Sequence, residues 1–170
     1  MEICRFTSAI EQAIVTRNYY AALALSLIIP DVCGKIETPA ARSKTRYLAW
    51  FGKYMQPQYT NTVGGTPHTF LSAEDAYALR CSYLHAGSHT ISDRRIQKAL
   101  TSFCFREPSV SDRSTVHRNQ TDSVLQLQVD IFCRDMCEAA ERWARDMASD
   151  EEAQNRMRML LEIHPPRSFR

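Results

Sequence analysis

The chain has 170 residues, of which 44% are hydrophobic, and its formal net charge is +2 at pH 7. This length predicts one domain with a real core, spanning residues 1–170, and argues against two domains. The small net charge does not by itself predict nucleic-acid binding. The basic residues are nevertheless seventeen Arg against four Lys, and arginine suits bidentate contacts to phosphate.

The cysteines and the apolar runs exclude two further classes of protein. The six cysteines are scattered without a CxxC pair, which argues against a secreted disulfide scaffold and predicts reduced, mostly buried thiols. The longest apolar run, Ala21 to Pro30, is interrupted by Ser26 and falls short of the ~18 residues of a membrane span. Glu2 and Arg5 do not form a signal-peptide pattern. We expect a soluble, cytoplasmic protein that does not bind membranes.

The first half of the chain is predicted to be helical. Apolar residues at helical spacing predict one helix over 2–16 and a second over about 17–37. The second is apolar nearly all round, so it belongs in the middle of a bundle, with Pro30 kinking or ending it. A third helix is predicted over 43–55, and its aromatic face is more typical of a core than of a base-stacking platform. Residues 56–69 contain two glycines and two prolines and are interpreted as an irregular loop.

A fourth helix is predicted over 73–86. Ser72 opens it, with an acidic residue three positions later as a variant of the capping box, and Gly87 is a natural stop. This helix contains Arg80 and, five positions on, His85. The histidine falls in the last turn, where the helix macrodipole stabilises an imidazolium.

The pattern changes after residue 91. A short basic stretch over 92–98 is predicted to be helical, and a small antiparallel sheet of three strands should follow it. The last strand alternates apolar and polar residues with period two, which is typical of a strand with one solvated face. Two helices are predicted to close the chain, the second capped by Ser149. These predicted segments are strands near 100–106, 115–119 and 124–130 and helices over 133–147 and 150–163.

Arg80 and His85 are candidate catalytic residues for RNA cleavage without a metal. Arginine can clamp and neutralise a phosphate with a planar fork of donors, and histidine can move a proton near neutral pH. On an ideal helix the two residues lie about 140° apart around the axis and about 7.5 Å apart along it. One helix therefore brings both side chains to one atom only through the reach of the arginine, whereas two copies of the helix could bring two Arg and two His into one groove. Small residues beside His85 would let a second copy of the helix approach, which favours a homodimer. These small residues are Ala78, Cys81 and Ser82.

Other interpretations of the same residues stay open. Arg158 and His164 form a second Arg and His pair, and spacing alone prefers neither pair. Arg80 lies in the apolar arc of its helix, where a buried guanidinium needs a carboxylate or phosphate partner. It would then be a core arginine, with His85 satisfying a helix end. His85 and His89 have zinc-compatible spacing, but a helix break separates them, so we predict no metal site and no cofactor.

The Arg80 and His85 pair late in a helical bundle resembles the signature of the HEPN superfamily, whose members carry Arg, four to six residues, then His. Further segments are similar to those of small uncharacterised bacterial HEPN-like proteins, a likeness that covers residues 1–90. These segments are Asn18–Leu25, Arg46–Phe51 and Leu71–Arg80. The resemblance implies a mainly α, HEPN-like helical bundle. The strand pattern after residue 91 adds a small three-stranded antiparallel sheet inserted after the motif helix.

The resemblance also implies a function, namely that of a dimeric, metal-independent endoribonuclease. Such an enzyme leaves 2′,3′-cyclic phosphate and 5′-hydroxyl ends. In such a site His85 assists attack of the RNA 2′-hydroxyl or protonates the leaving 5′-oxygen, and Arg80 stabilises the negative charge that grows on phosphorus. RNA and a second copy of the chain are the expected partners, and an antitoxin or regulatory protein is a further candidate. The alternatives are a non-catalytic HEPN-like module that binds nucleotide or protein, and a structural dimer without a ligand.

One residue departs from the pattern of many active HEPN members. They place a polar residue directly after the arginine, whereas this chain has Cys81. We expect Ser82 or Tyr83 to supply the missing hydrogen bond to the substrate. The basic stretch after the motif either contacts the substrate backbone or forms a solvated helix face. Its predicted substrate-binding residues are Arg94, Arg95 and Lys98.

Overall fold

A computed structural model describes residues 2–91, 98–109 and 115–164. This part of the chain is mainly helical, with six α-helices, a hairpin and a three-stranded sheet. The helices are α1 (Cys4–Val15), α2 (Tyr19–Glu37), α3 (Ser43–Tyr54), α4 (Ala73–Ala86), α5 (Val129–Asp146) and α6 (Glu151–Arg158). The strands are β1 (Thr60–Val63), β2 (Thr66–Thr69), β3 (Ser102–Arg106), β4 (Asn119–Thr121) and β5 (Val124–Gln128).

Helix α2 forms the centre of the bundle. It packs against the other five helices, which confirms the central place that its apolar sequence predicts. Pro30 is buried inside α2 and does not end it, because the helix continues to Glu37. Proline lacks the N–H that would bond to the Ser26 carbonyl, so only one helical hydrogen bond is lost. The packing of α2 on all sides outweighs that loss.

By length and composition alone, α2 is long and apolar enough to cross a membrane, although its longest uninterrupted apolar run is short. Half of the apolar window is buried within the protein, and the core helix of a soluble protein passes the same criterion. Because α2 packs against the other five helices, its apolar composition is accounted for by its place in the core. The cytoplasmic location stays a prediction.

The last helix is shorter than predicted. It ends at Arg158 instead of residue 163, and its cap is Asp150, whose carboxylate accepts the Ala153 amide at 2.9 Å, instead of Ser149. Beyond this helix Leu161 and Ile163 are exposed, so they add no buried face to it. Helix α5 starts earlier than predicted, at the residue that directly follows β5.

The segment predicted to be an irregular loop is ordered. Residues 56–59 form one turn of 3₁₀ helix, and β1 and β2 then pair as an antiparallel hairpin. Gly64 and Gly65 connect the strands with φ values of 57° and 82°. A two-residue hairpin turn of the primed type needs positive φ at both positions, which two consecutive glycines allow. The prediction of a loop was wrong because this glycine pair is itself a hairpin signal.

The three-stranded sheet is mixed, so the prediction of an all-antiparallel sheet is wrong. Its strand order is β3-β5-β4, with β4 antiparallel to β5 and β3 parallel to β5. A tight turn at Asp122, where φ is 54°, joins β4 to β5 and makes them antiparallel neighbours. The connection from Arg106 to Val124 contains β4, which runs in the opposite direction, so the chain can enter β5 in the same direction as β3. Alternation of apolar residues predicts a strand but not its direction.

Gly34 allows α2 and α3 to approach each other closely. A Cβ at this position would lie 3.0 Å from the carbonyl oxygen of Arg46 in α3, and a backbone atom cannot rotate away. We expect Gly34→Ala to lower the free energy of unfolding by about 1–3 kcal/mol.

The matched control is Gly52→Ala in α3. Within the described part of the chain, no neighbouring side chain or loop lies within 4 Å of the point that a Cβ of residue 52 would occupy. This substitution should therefore raise the free energy of unfolding by about 0.5–1 kcal/mol. Urea denaturation measures both variants, and equal stabilities would contradict the close approach of α2 and α3.

Candidate active site

Helix α4 carries Arg80 and His85 and has the bounds that the sequence predicts. At its start, the Ser72 hydroxyl oxygen accepts the Asp75 amide at 3.1 Å and the hydroxyl donates to the Asp75 carboxylate at 2.7 Å. At its end, Gly87 adopts a left-handed φ of 61°. The amides of Gly87 and of the next residue donate to carbonyls of the last turn. Both ends are fixed, so α4 is a firm support for its side chains.

The Arg80 guanidinium is held by Asp31 of α2, with Nε 2.8 Å from Oδ2. The two side chains are only 20% and 17% exposed. Burial opposes the charge on Arg80, but the adjacent Asp31 carboxylate and the Cys81 thiol together outweigh burial, and the pKa of Arg80 is raised. The other carboxylate oxygen of Asp31 accepts the Ser43 hydroxyl at 3.0 Å. The need of Arg80 for an anionic partner is thus met within the chain.

His85 is exposed and contacts the same guanidinium. Its Nε2 lies 3.2 Å from Nη1 of Arg80. A guanidinium can only donate hydrogen bonds, so in this contact Nε2 of His85 is the acceptor. The long arginine side chain spans the angle that separates the two residues on the helix. Arg80 and His85 of one chain therefore meet without a second copy of the helix.

Buried aromatic residues lie beneath this pair. Tyr47 of α3 is fully buried, and its hydroxyl donates to the Ala76 carbonyl at 3.5 Å. Burial, followed by the nearby Asp31 carboxylate, raises the pKa of Tyr47 well above its ordinary value. The Tyr77 ring packs edge-on against Tyr47, with ring centroids 5.2 Å apart. Tyr47 and the other large aromatic residues of α3 are buried in the core, as predicted. They pack beneath the site and offer no exposed ring on which a base could stack.

The three residues after Arg80 face different surroundings. Cys81 is a half-buried free thiol beside the guanidinium. Ser82 is half-buried, and its carbonyl accepts a hydrogen bond that ends the helix. The Tyr83 hydroxyl donates to the Tyr20 carbonyl at 3.2 Å, at the start of α2. The structure thus directs Tyr83 away from the Arg80 and His85 contact.

Lys98 lies at the opposite end of α4 from His85. Its ammonium is 3.9 Å from the Glu74 carboxylate and its amide donates to Asp75 at 2.9 Å, both in the first helical turn. Ten residues of helix place this turn about 15 Å from His85. The structure does not bring Lys98 together with the candidate catalytic pair. The other predicted substrate-binding residues lie outside the described residues: Arg94 and Arg95.

The competing pair does not share a helix. Helix α6 ends at Arg158, whose guanidinium contacts Asn155, and His164 is an exposed residue beyond the helix. His89 likewise lies past the end of α4. Within residues 2–91, 98–109 and 115–164, no cluster of three or more metal-ligating side chains is found. Of the two Arg and His pairs, the structure brings only Arg80 and His85 together through one helix.

The small-residue face of α4 is partly covered within the chain. Ala78 is fully buried, and Cys81 and Ser82 are half-buried. His85 and Ala86 are exposed. A second copy that packs on this face would therefore meet mainly the last turn of α4, where His85 lies.

Asp31 is a site residue that the sequence analysis did not name. It is the first charged residue in the long apolar helix α2, directly after Pro30. A lone carboxylate inside an apolar helix must find a partner when it is buried, and this requirement was a usable signal. The sequence predicts that Arg80 needs an anion, but not which of the acidic residues supplies it.

Comparison of the chain with protein-family models, with curated proteins and with solved structures gave no match. The chemistry of the site follows from its own geometry.

Proposed function

We propose that this protein is a metal-independent endoribonuclease of the HEPN type, with Arg80 and His85 as its catalytic residues. The observation that carries the proposal is the 3.2 Å contact between Arg80 Nη1 and His85 Nε2 at the exposed end of α4. It joins a phosphate-binding cation and a proton acceptor at one solvent-accessible point. An Arg and His pair with this spacing is also the feature that resembles the HEPN superfamily.

The proposed reaction is an in-line transfer at phosphorus. His85 Nε2 takes the proton of the RNA 2′-hydroxyl, the O2′–P bond forms and the P–O5′ bond breaks. The O5′ leaving group takes a proton from the partner subunit's His85, which enters the reaction as the imidazolium, so one histidine gains a proton and the other loses one. The products are a 2′,3′-cyclic phosphate and a 5′-hydroxyl. Arg80 stabilises the additional negative charge on the phosphoryl oxygens in the transition state.

Asp31 positions Arg80 for this role. Because Asp31 accepts from Nε, the edge formed by Nη1 and Nη2 faces away from the carboxylate and can hold a phosphate with two hydrogen bonds. A phosphate bound there replaces the contact to His85 and leaves Nε2 free to accept a proton. The ion pair therefore orients the Arg80 guanidinium through Nε and leaves Nη1 and Nη2 available to a phosphate.

A second candidate function is a non-catalytic HEPN-like dimer module that binds nucleotide or protein. The ion pair between Arg80 and Asp31 favours it, because the carboxylate already neutralises the guanidinium and satisfies its burial. An antitoxin or regulatory protein is the kind of partner that such a module would bind. Both proposals place the ligand at the last turn of α4.

RNA cleavage in the presence of EDTA tests the main proposal. Purified protein incubated with mixed single-stranded RNA and excess EDTA should produce fragments with 2′,3′-cyclic phosphate ends, detected by their resistance to direct 3′ ligation. Bound but intact RNA would support the non-catalytic module. RNA that is neither bound nor cut would overturn the RNA proposals.

Arg80→Lys separates the catalytic from the structural role of the arginine. Lysine keeps the charge that pairs with Asp31 but loses the planar fork, so thermal stability should stay close to wild type while cleavage falls about 100-fold. Arg158→Lys, in the competing pair, is the matched control and should cleave normally. Wild-type cleavage by Arg80→Lys would show that the fork does not hold the reacting phosphate.

A further inference from the structure

The first turn of α3 lies beside the Arg80 guanidinium. The Ser43 hydroxyl donates to Oδ1 of Asp31 at 3.0 Å, and Oδ2 of the same carboxylate accepts from Arg80 Nε at 2.8 Å. A single carboxylate group therefore separates Ser43 from Arg80. Because the Ser43 contact is exposed, the start of α3 and the candidate active site share one solvent-accessible surface.

Lys44 reaches from this turn of α3 to α4. Its ammonium lies 6.0 Å from the centre of the Tyr77 ring. Tyr77 precedes Arg80 by three residues, so the two are neighbours on the surface of α4, with Cβ atoms about 5–6 Å apart. Burial, followed by the nearby Cys81, raises the pKa of Tyr77, whereas the Arg80 guanidinium acts to lower it because it is close to the hydroxyl. Lys44 and Arg80 thus approach the same tyrosine.

Lys44 is exposed and forms no ion pair within the described part of the chain. The Asp31 carboxylate is paired with Arg80. On α4, the Glu74 carboxylate lies 3.9 Å from the Lys98 ammonium. The charge of Lys44 is therefore available to an anion from outside the protein.

Arg42 adds a second cation on the other side of Ser43. It is exposed, and among the residues that the structure describes it has no carboxylate partner. The first turn of α3 contains no acidic residue. The surface next to Arg80 is thus locally basic, although the net charge of the whole chain is only +2. Such a surface suits a chain of regularly spaced phosphates.

We propose that Lys44, with Arg42 beside it, binds the RNA phosphate that neighbours the scissile phosphate. This inference rests on the proposed function, in which Arg80 holds the scissile phosphate. It makes Lys44 a positioning residue and names the substrate as a strand that carries at least one further phosphate next to the cleaved bond. A lysine in this role releases a counterion when the strand binds, so affinity should depend on salt through it.

Fluorescence anisotropy at several salt concentrations tests this proposal. The probe is a fluorescein-labelled, single-stranded 2′-O-methyl RNA, which lacks the attacking hydroxyl, so wild-type protein can be used. Lys44→Ala should weaken binding about fivefold at about 0.1 M salt and reduce the steepness of log affinity against log salt by about 0.7, the value for one phosphate contact to a single strand. Lys44→Arg should bind like wild type because it keeps the charge.

The matched control is Lys53→Ala in the same helix. Lys53 is also exposed and its ammonium also lies over a tyrosine ring, that of Tyr54, but it pairs with Asp146 at 3.5 Å. Its position is about 14 Å further along α3 than Lys44. This substitution should leave both the affinity and its salt dependence unchanged.

Cleavage kinetics separate positioning from chemistry. With single-stranded RNA, Lys44→Ala should raise KM about fivefold at about 0.1 M salt and leave kcat at the wild-type value. A fall in kcat with KM unchanged would show that Lys44 acts on the chemical step, which overturns the proposed role. Equal affinity of wild type for RNA and for polyglutamate of the same length would make this surface a site for acidic proteins and would also overturn it.

The remaining outcomes separate this inference from the proposed function. If wild type cleaves RNA and Lys44→Ala keeps wild-type affinity and salt dependence, the Lys44 site is wrong and the nuclease stands. If wild type binds the probe without cleaving RNA and only Lys44→Ala loses affinity, the nuclease fails and the phosphate site stands. If wild type neither cleaves RNA nor binds the probe, both proposals fail.

Discussion

Replacing His85 by alanine is expected to lower the rate of RNA cleavage by about 10²–10⁴-fold, because the variant loses the group that accepts the 2′-hydroxyl proton. His85 is exposed, so the free energy of unfolding should change by less than about 0.5 kcal/mol. Initial rates with a defined single-stranded RNA in EDTA, together with thermal unfolding, measure both effects.

The control for this experiment is His164→Ala. His164 is also exposed, lies beyond the end of α6 and belongs to the competing Arg and His pair, which has no part in the proposed reaction. Its substitution should leave the chemical step intact. Equal cleavage by His85→Ala and wild type would show that the histidine takes no part in proton transfer.

Substitution of Asp75 by alanine is expected to cause the largest loss of stability, about 2–4 kcal/mol. The Asp75 carboxylate is 2% exposed and accepts the Ser72 hydroxyl and three successive amides, those of Lys98, Ala99 and Leu100. Alanine would leave these donors without their acceptor. For a domain of this size the melting temperature should fall by roughly 5–15 °C.

Glu74→Ala is the matched control for Asp75. Glu74 is the neighbouring acidic residue in the same turn, but its side chain is 43% exposed and its carboxylate lies 3.9 Å from the Lys98 ammonium. An exposed ion pair of this kind contributes less than about 1 kcal/mol. Thermal unfolding of the two variants should therefore differ clearly, and similar melting temperatures would mean that the buried network adds little.

The position of α4 could be predicted because its signals are local. A serine at the start, an acidic residue in the first turn and a glycine at the end specify both helix termini within one short segment. Equally local signals exist for the Gly64 and Gly65 turn, which forms a hairpin. The two prolines near that turn favour an irregular loop, and this competing signal, rather than a lack of information, made the prediction wrong.

The contacts between distant segments could not be predicted from the sequence. A buried Arg80 requires an anion, but the choice of Asp31 depends on how α2 crosses α4. The parallel pairing of β3 with β5 depends on the path of the connection between them. In each case the sequence specifies the chemical requirement, and the three-dimensional path of the chain selects the residue that meets it.

The contact between Arg80 and His85 has a consequence for how the proposed enzyme would behave at rest. With Arg80 donating to Nε2, the lone pair that would abstract a proton is occupied, so the resting base is masked. A phosphodiester that binds Arg80 Nη1 displaces this hydrogen bond and frees Nε2 of His85. The proposed enzyme would then acquire its general base only when RNA is bound.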